Sequence, residues 1–121
     1  MTIDHVGIRV RDLARSTAFY RHALAPLGYA VRIDEASGVG LGDSPKPDLW
    51  LYPGEPPNED AHIALAAADR ASVDAFHVAA LTAGATDRGA PRLHPEYHPG
   101  YYGAFVTDLD GYNLEAVVHE W

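Results

Sequence analysis

The sequence repeats itself once, at a spacing of 57 residues. Shifting the chain by this amount superposes His5 on His62 and Asp12 on Asp69, and it also aligns apolar helix positions: Phe19 with Phe76, Ala23 with Ala80, and Leu24 with Leu81. Self-similarity of this length indicates two copies of one supersecondary unit. The alternative is a chance match between two amphipathic helices, but the shared His and Asp favour a true repeat.

Each copy predicts the order strand, helix, strand, strand, strand. In the first copy, residues 3–10 alternate and are rich in β-branched side chains, which is typical of a strand. Asp12 is a suitable N-cap for a helix over 13–25. Further strands are predicted near 29–33, 38–42 and 48–52. The sequence of residues 53–60, PGEPPNED, has no periodicity and predicts a linker.

The second copy starts again with a strand over 61–67. Asp69 caps a second helix, whose predicted apolar face is formed by Val73, Phe76, Ala80 and Leu81. Strands follow near 85–87, 101–107 and 112–118. The chain is therefore predicted to be one α+β domain with module one at about 1–53 and module two at about 61–121. The modules would form a curved mixed sheet around a central cavity, with the helices outside.

Strand alternation places three possible metal ligands on the face that points away from the helices. In the first strand Val6, Ile8 and Val10 form the apolar face, so His5 belongs to the other face. The same parity argument puts His62 and Glu115 on the corresponding face of the second module. Trp50 and Tyr52 share that face in the first module, either as an aromatic wall for a substrate or as plain core.

Two imidazoles and one carboxylate suit a divalent metal and leave positions open for water or substrate. The chain contains no cysteine, so any metal must depend on His and carboxylate ligands. A single strand His is more often a core or surface residue than a ligand. The metal hypothesis therefore rests on the concurrence of two repeat-equivalent His residues with a Glu of matching parity.

The charge of the chain limits its partners. Seventeen acidic residues against nine basic ones give a net charge of −8, which argues against nucleic acids and anionic membrane surfaces. No run of eighteen apolar residues predicts a transmembrane helix, and the N-terminus lacks the pattern of a secretory signal. We therefore expect a cytoplasmic protein that binds a small molecule.

Residues 92–102, RLHPEYHPGYY, predict a loop over the mouth of the cavity. In this interpretation Tyr101 and His98 are candidate catalytic groups beside Glu115, able to supply a proton. Arg92, Tyr97 and Tyr102 are candidate substrate contacts. The alternative is a surface loop stiffened by proline, with its aromatic rings packed on the edge of the sheet.

Both ends of the chain resemble one known family. IDHVGIRVRDLARSTAFYRHALAPLGY resembles the opening of the vicinal oxygen chelate superfamily, which includes glyoxalases, bleomycin-resistance proteins and extradiol dioxygenases. YYGAFVTDLDGYNLEAVVH resembles its ending, where a D-P-D-G-N turn precedes the strand of the Glu ligand. Here Leu109 stands in place of the Pro, and Tyr112 is inserted before Asn113.

The resemblance implies paired βαβββ modules and one divalent ion, Zn, Ni, Fe or Mn, held by His5, His62 and Glu115. The fourth ligand position of the family falls at Trp50 or a neighbour, whereas glyoxalase I-like enzymes have a carboxylate there. The implied function is a metal-dependent lyase, isomerase or dioxygenase acting on an oxygen-bearing organic substrate. The alternative is a drug- or aromatic-ligand-binding protein of the bleomycin-resistance type. Modules of this kind pair within one chain or between two, and we expect a homodimer.

Overall fold

A computed structural model describes residues 2–120 of the chain. Its first half contains β1 (Val6–Val10), α1 (Leu13–Leu24), a short 3₁₀ helix (Ala25–Leu27), β2 (Ala30–Glu35), β3 (Gly38–Gly42) and β4 (Leu49–Pro53). Its second half contains β5 (His62–Ala66), α2 (Arg70–Thr82), β6 (Thr86–Leu93), β7 (Tyr101–Thr107) and β8 (Asn113–His119). The predicted order of strand, helix and three strands is confirmed in both halves.

The strands form two four-stranded sheets, in the orders β1-β4-β3-β2 and β5-β8-β7-β6. In each sheet the first strand pairs in parallel with the last strand of its module, and the other neighbours are antiparallel. The two mixed sheets are therefore built in the same way, and the α+β fold of two βαβββ modules is confirmed.

The same local chemistry starts both helices. The Asp12 carboxylate accepts a hydrogen bond from the backbone N–H of Arg15 at 3.1 Å, and Asp69 accepts from Ser72 at 2.8 Å. Each bond satisfies one of the N–H groups that the first turn of a helix leaves without a partner. In β1, Ile8 and Val10 are buried beneath the helix layer, which confirms the face predicted from alternation.

Two details differ from the sequence-based expectation. Strand β6 extends from Thr86 to Leu93, beyond the predicted 85–87, because two irregularities in its pairing with β7 accommodate Gly89 and the residues after it. Glycine and proline in this stretch had indicated an end to the strand. On α2, Val73, Phe76 and Ala80 of the predicted apolar face are buried, whereas Leu81 is exposed.

A buried polar cluster joins the modules where α1 packs against α2 and the turn before β8. The Tyr20 hydroxyl donates to the Asp108 carboxylate, and the backbone N–H groups of Asp110 and Tyr112 donate to its other oxygen, both at 2.9 Å. Ser16 donates to Asp110 at 3.2 Å. Helix α1 of module one is thereby fixed to the last turn of module two.

None of the helices within residues 2–120 is long and apolar enough to cross a membrane.

Candidate functional site

The strongest candidate site lies where β5 meets β8. His62 is the first residue of β5, and its Nε2 is 2.7 Å from Oε1 of Glu115 on β8. The Glu115 side chain is 0% exposed, whereas that of His62 is 47% exposed. An imidazole open to solvent is thus in contact with a fully buried carboxylate, on the face of the sheet that alternation predicted for both residues.

Tyr101 completes the surroundings of the buried carboxylate. Its hydroxyl donates to Oε2 of Glu115. Burial, followed by the hydrogen bond to Glu115, raises the pKa of the Tyr101 hydroxyl well above its ordinary value, so this group keeps its proton at neutral pH. Gly103 leaves room for the carboxylate, because a Cβ at this position would lie 2.9 Å from Oε2.

His5 lies apart from this cluster within one chain. It precedes β1, its side chain is 52% exposed, and its Nδ1 is 2.6 Å from the carboxylate of Asp4. Across residues 2–120, no three His, Cys, Asp or Glu side chains converge in a way that could hold a metal. The structure therefore brings together two of the three predicted ligands, whereas His5 lines a separate cavity between the modules, with Asp48 and Ile63.

Strand register identifies the position in module one that corresponds to Glu115. Gly7 pairs with Trp50 in β1 and β4, just as Ala64 pairs with Glu115 in β5 and β8. Since Gly7 and Ala64 each follow a repeated His by two residues, Trp50 is the counterpart of Glu115. The Trp50 ring stacks on that of Tyr52, with centroids 6.1 Å apart and planes 4° apart.

The loop after β6 places its candidate residues differently. Tyr97 packs edge-on against Tyr101 at 4.9 Å between centroids. His98 lies 5.6 Å from the Tyr101 ring, and its Nε2 is 2.9 Å from Nδ1 of His119. The structure does not bring Tyr102 to the cluster, because its hydroxyl donates to Asp74 of α2 at 2.6 Å, on the helix side of the sheet.

Three residues beside the cluster were not singled out from the sequence. His94 and Asn113 line a cavity of about 320 Å³ together with Phe105. The Phe105 ring lies 5.9 Å from that of His62 and 5.4 Å from that of His94. Arg92 lies at the rim of this cavity and is paired with Glu96 at 3.0 Å. The parity of β7 and β8 could have indicated Phe105 and Asn113, since both share the face of Glu115.

Two βαβββ modules, each a four-stranded mixed sheet with one helix, define a recognisable class of fold. The sequence-family model of the Glyoxalase/Bleomycin resistance protein/Dioxygenase superfamily matches residues 2–116 of the chain. The chain belongs to this superfamily, as its two end motifs had suggested. No protein of curated function gave a significant match by sequence.

Solved structures agree with this assignment. A glyoxalase/bleomycin resistance protein from Albidiferax ferrireducens superposes with a TM-score of 0.83 at 27% identity, covering 94% of this chain and 96% of its own. The fosfomycin resistance protein FosX from Mesorhizobium loti superposes with a TM-score of 0.73 at 19% identity, covering 98% and 92%. FosX from Listeria monocytogenes, solved with Mn(II) and dihydroxypropylphosphonic acid, gives 0.74 at 16% identity, covering 98% and 90%. At such identities the two FosX structures show a shared fold.

Proposed function

We propose that the chain is a metal-dependent enzyme that acts on a small oxygen-bearing substrate. In this proposal one divalent ion is held by His62 and Glu115 of one chain and by His5 of a second copy. The observation that carries it is the 2.7 Å contact between the His62 imidazole and the fully buried Glu115 carboxylate. A carboxylate is rarely buried completely unless it is paired or binds a metal.

The donor chemistry of this pair fits a divalent ion. Imidazole nitrogen and carboxylate oxygen suit Zn, Ni, Fe and Mn, and the manganese in a FosX structure supports a hard divalent ion. An ion at this position supplies Lewis-acid polarisation of a substrate oxygen. The imidazole would offer a ring-nitrogen lone pair to such an ion, which for Nε2 requires the tautomer that carries the proton on Nδ1.

The protein groups around the pair have separate roles in this proposal. Tyr101 holds one oxygen of Glu115 through its hydroxyl, which leaves the other oxygen directed at His62. Its raised pKa keeps the Tyr101 proton in place as a hydrogen-bond donor. Tyr101 therefore orients the carboxylate with its single hydroxyl proton, and the His98 ring packs edge-on against the Tyr101 ring at 5.6 Å between centroids.

The third ligand follows from the internal repeat. His5 and His62 are equivalent in the two modules, so modules paired about a pseudo-twofold axis would bring both to one centre. The modules of one chain contact each other through α1 and α2 and through the Asp108 turn, and their sheets share no hydrogen-bonded strand pair, although His5 and Ile63 line one cavity. Pairing of module one with module two of another copy completes the ligand set and gives two equivalent sites per homodimer.

Metal content tests the proposal. Protein incubated with nickel, zinc, manganese or iron and then desalted should retain about one divalent ion per chain. Glu115→Gln should lose the ion while retaining the fold, as judged by circular dichroism. His22→Ala removes an exposed imidazole from α1 and serves as the matched control, with unchanged metal content. Wild-type protein that takes up none of the four metals contradicts the proposal.

Glyoxalase activity is expected to be negligible. Trp50 occupies the position equivalent to Glu115, so the centre has no second carboxylate. We expect turnover of the methylglyoxal–glutathione hemithioacetal to remain at the level of the buffer blank in an absorbance assay, with the metal loaded. Robust turnover would show that another acidic residue takes the fourth position.

A binding protein of the bleomycin-resistance type is the second candidate. Both oxygens of Glu115 already have partners within the chain, His62 and Tyr101, so the carboxylate is satisfied without an ion. The stacked Trp50 and Tyr52 rings offer an apolar surface to a flat ligand. Metal content separates the two candidates, because the binding protein would remain metal-free.

A further inference from the structure

The cavity beside the His62–Glu115 pair is lined by two residues that each have a buried polar atom without a partner. His94 is only 5% exposed, and its Nε2 forms no hydrogen bond with any group in residues 2–120. The same holds for Oδ1 of Asn113. Both residues line the cavity of about 320 Å³. A buried polar atom without a hydrogen-bond partner lowers the stability of the fold. A ligand that forms a hydrogen bond with such an atom removes this penalty.

Both of these atoms are hydrogen-bond acceptors. Nδ1 of His94 lies 3.2 Å from the Glu96 carboxylate. Arg92 beside Glu96 holds the pKa of that carboxyl at about 2, so Glu96 is ionised and can only accept. A proton on Nδ1 of His94 serves this contact, and Nε2 presents a lone pair in that tautomer. The amide oxygen of Asn113 is an acceptor by nature, so both atoms require donors from the ligand.

Backbone register places the two acceptor residues on either side of Phe105 along β7. Along β7, the backbone N–H of His94 bonds to Tyr101 at 2.8 Å, whereas Asn113 pairs with Thr107. Phe105 lies between these two positions and contributes its ring to the cavity. A ligand that reaches both acceptors must therefore cross Phe105 with an apolar middle section.

The arginines at the rim do not require an anion. Arg88 is paired with Asp60 at 2.7 Å, and Arg92 is paired with Glu96 at 3.0 Å. Each guanidinium is thus balanced by a carboxylate of the chain itself. A phosphonate or carboxylate ligand would have to break one of these pairs, whereas an uncharged ligand leaves both intact.

We propose that the cavity formed by His94, Phe105 and Asn113 binds the substrate of the neighbouring centre, and that this substrate is an uncharged molecule with an apolar body and a hydrogen-bond donor, such as a hydroxyl group, at each end. The assignment of this molecule as a substrate rests on the proposed function, whereas the assignment of the cavity as a ligand-binding site does not. A volume of about 320 Å³ suits a small molecule.

Three probes of similar size test the proposal by NMR titration of ¹⁵N-labelled protein. The first, 1,4-benzenedimethanol, carries a hydroxyl donor at each end of an aromatic ring. Its dimethyl ether has the same body without donors, and terephthalate is the dianion. The diol should bind with a Kd of about 10 mM or tighter, as expected for a ligand of ten heavy atoms. The ether and the dianion should bind at least about fivefold more weakly.

Variants assign the effect to the cavity. Asn113→Leu and His94→Phe remove one acceptor each and should weaken diol binding by about two- to tenfold. Asn113→Leu should also raise the Tm of the ligand-free protein, because it replaces a buried polar atom that has no partner. A merely structural asparagine would lower it. Asn58→Leu, at an exposed position in the linker, is the control and should leave diol affinity unchanged.

Failure of this inference is distinguishable from failure of the metal proposal. If the diol binds in a way that depends on Asn113, but the protein takes up no metal, the cavity is still a ligand-binding site. Only the assignment of its ligand as the substrate of a metal centre is then wrong. The inference is overturned if none of the diol binds at about 10 mM, or if the ether or terephthalate binds as tightly as the diol. It is also overturned if both cavity variants bind the diol as the wild type does.

Discussion

Replacing Asp108 with alanine is expected to lower the free energy of unfolding by about 3 kcal/mol or more. The carboxylate accepts the hydroxyl of the fully buried Tyr20 and two backbone N–H groups of its own turn. Alanine leaves these donors without an acceptor in a region that water does not reach. The loss is large because the Tyr20–Asp108 contact joins α1 of module one to the last turn of module two.

Chemical denaturation followed by circular dichroism measures this effect. Burial raises the pKa of Asp108, which shows that its charge is costly in this position. Asp108→Asn keeps one oxygen for the two backbone N–H groups without the charge, and its amide N–H can donate to the Tyr20 hydroxyl oxygen, so it is expected to lose about 1 kcal/mol or less. Asp34→Ala, at an exposed position in β2, is the control and should change stability by less than about 0.5 kcal/mol. Equal stability of the Ala and Asn variants would contradict the assigned role of the carboxylate.

The elements of the fold were predictable because they depend on local patterns. Alternation in β1 and the N-caps Asp12 and Asp69 determine where strands and helices begin, and the repeat determines how many there are. Strand β6 was underestimated because Gly89 and Pro91 suggest a break, whereas the structure accommodates them as irregularities of pairing with β7. Such irregularities depend on the partner strand, which the sequence of β6 alone does not reveal.

The site was predictable to the extent that it depends on strand parity. His62 and Glu115 meet because adjacent parallel strands present alternate residues on one face. Tyr101 and Tyr102 are adjacent in a strand and point to opposite faces, so only Tyr101 reaches Glu115, whereas Tyr102 contacts Asp74. His94 gave no periodic signal, since it follows β6 and its burial depends on the rings of Tyr97 and Phe105.

Mixing two inactive variants is expected to restore metal binding if the centre forms between chains. His5→Ala keeps His62 and Glu115, and Glu115→Gln keeps His5, so each variant alone lacks one ligand at every site. A dimer with one chain of each kind has one site with all three ligands and one site that lacks two. Random exchange makes half of the dimers mixed, so about one quarter of all sites should bind an ion.

The matched control mixes two variants whose substitutions affect ligands that one chain contributes to the same site. His62→Ala and Glu115→Gln both damage the pair that lies within one chain at 2.7 Å. Mixing these two variants leaves every site incomplete, so metal content should stay at the background level. Elemental analysis of co-refolded mixtures, with nickel or manganese added in excess and then removed by desalting, measures both cases in the same way.

The mixing experiment requires a homodimer, and light scattering coupled to size exclusion tests whether the chain forms one. The wild type should elute with twice the mass of the 13.1 kDa chain. Two structural facts support this expectation: the His5 side chain is 52% exposed beside Asp4, and Tyr52 on the sheet face of module one is exposed. Rescue by His5→Ala with Glu115→Gln, without rescue in the His62→Ala control, would assign His5 to the partner's centre. Absence of rescue in a dimer that binds metal would instead show that another group supplies the third ligand.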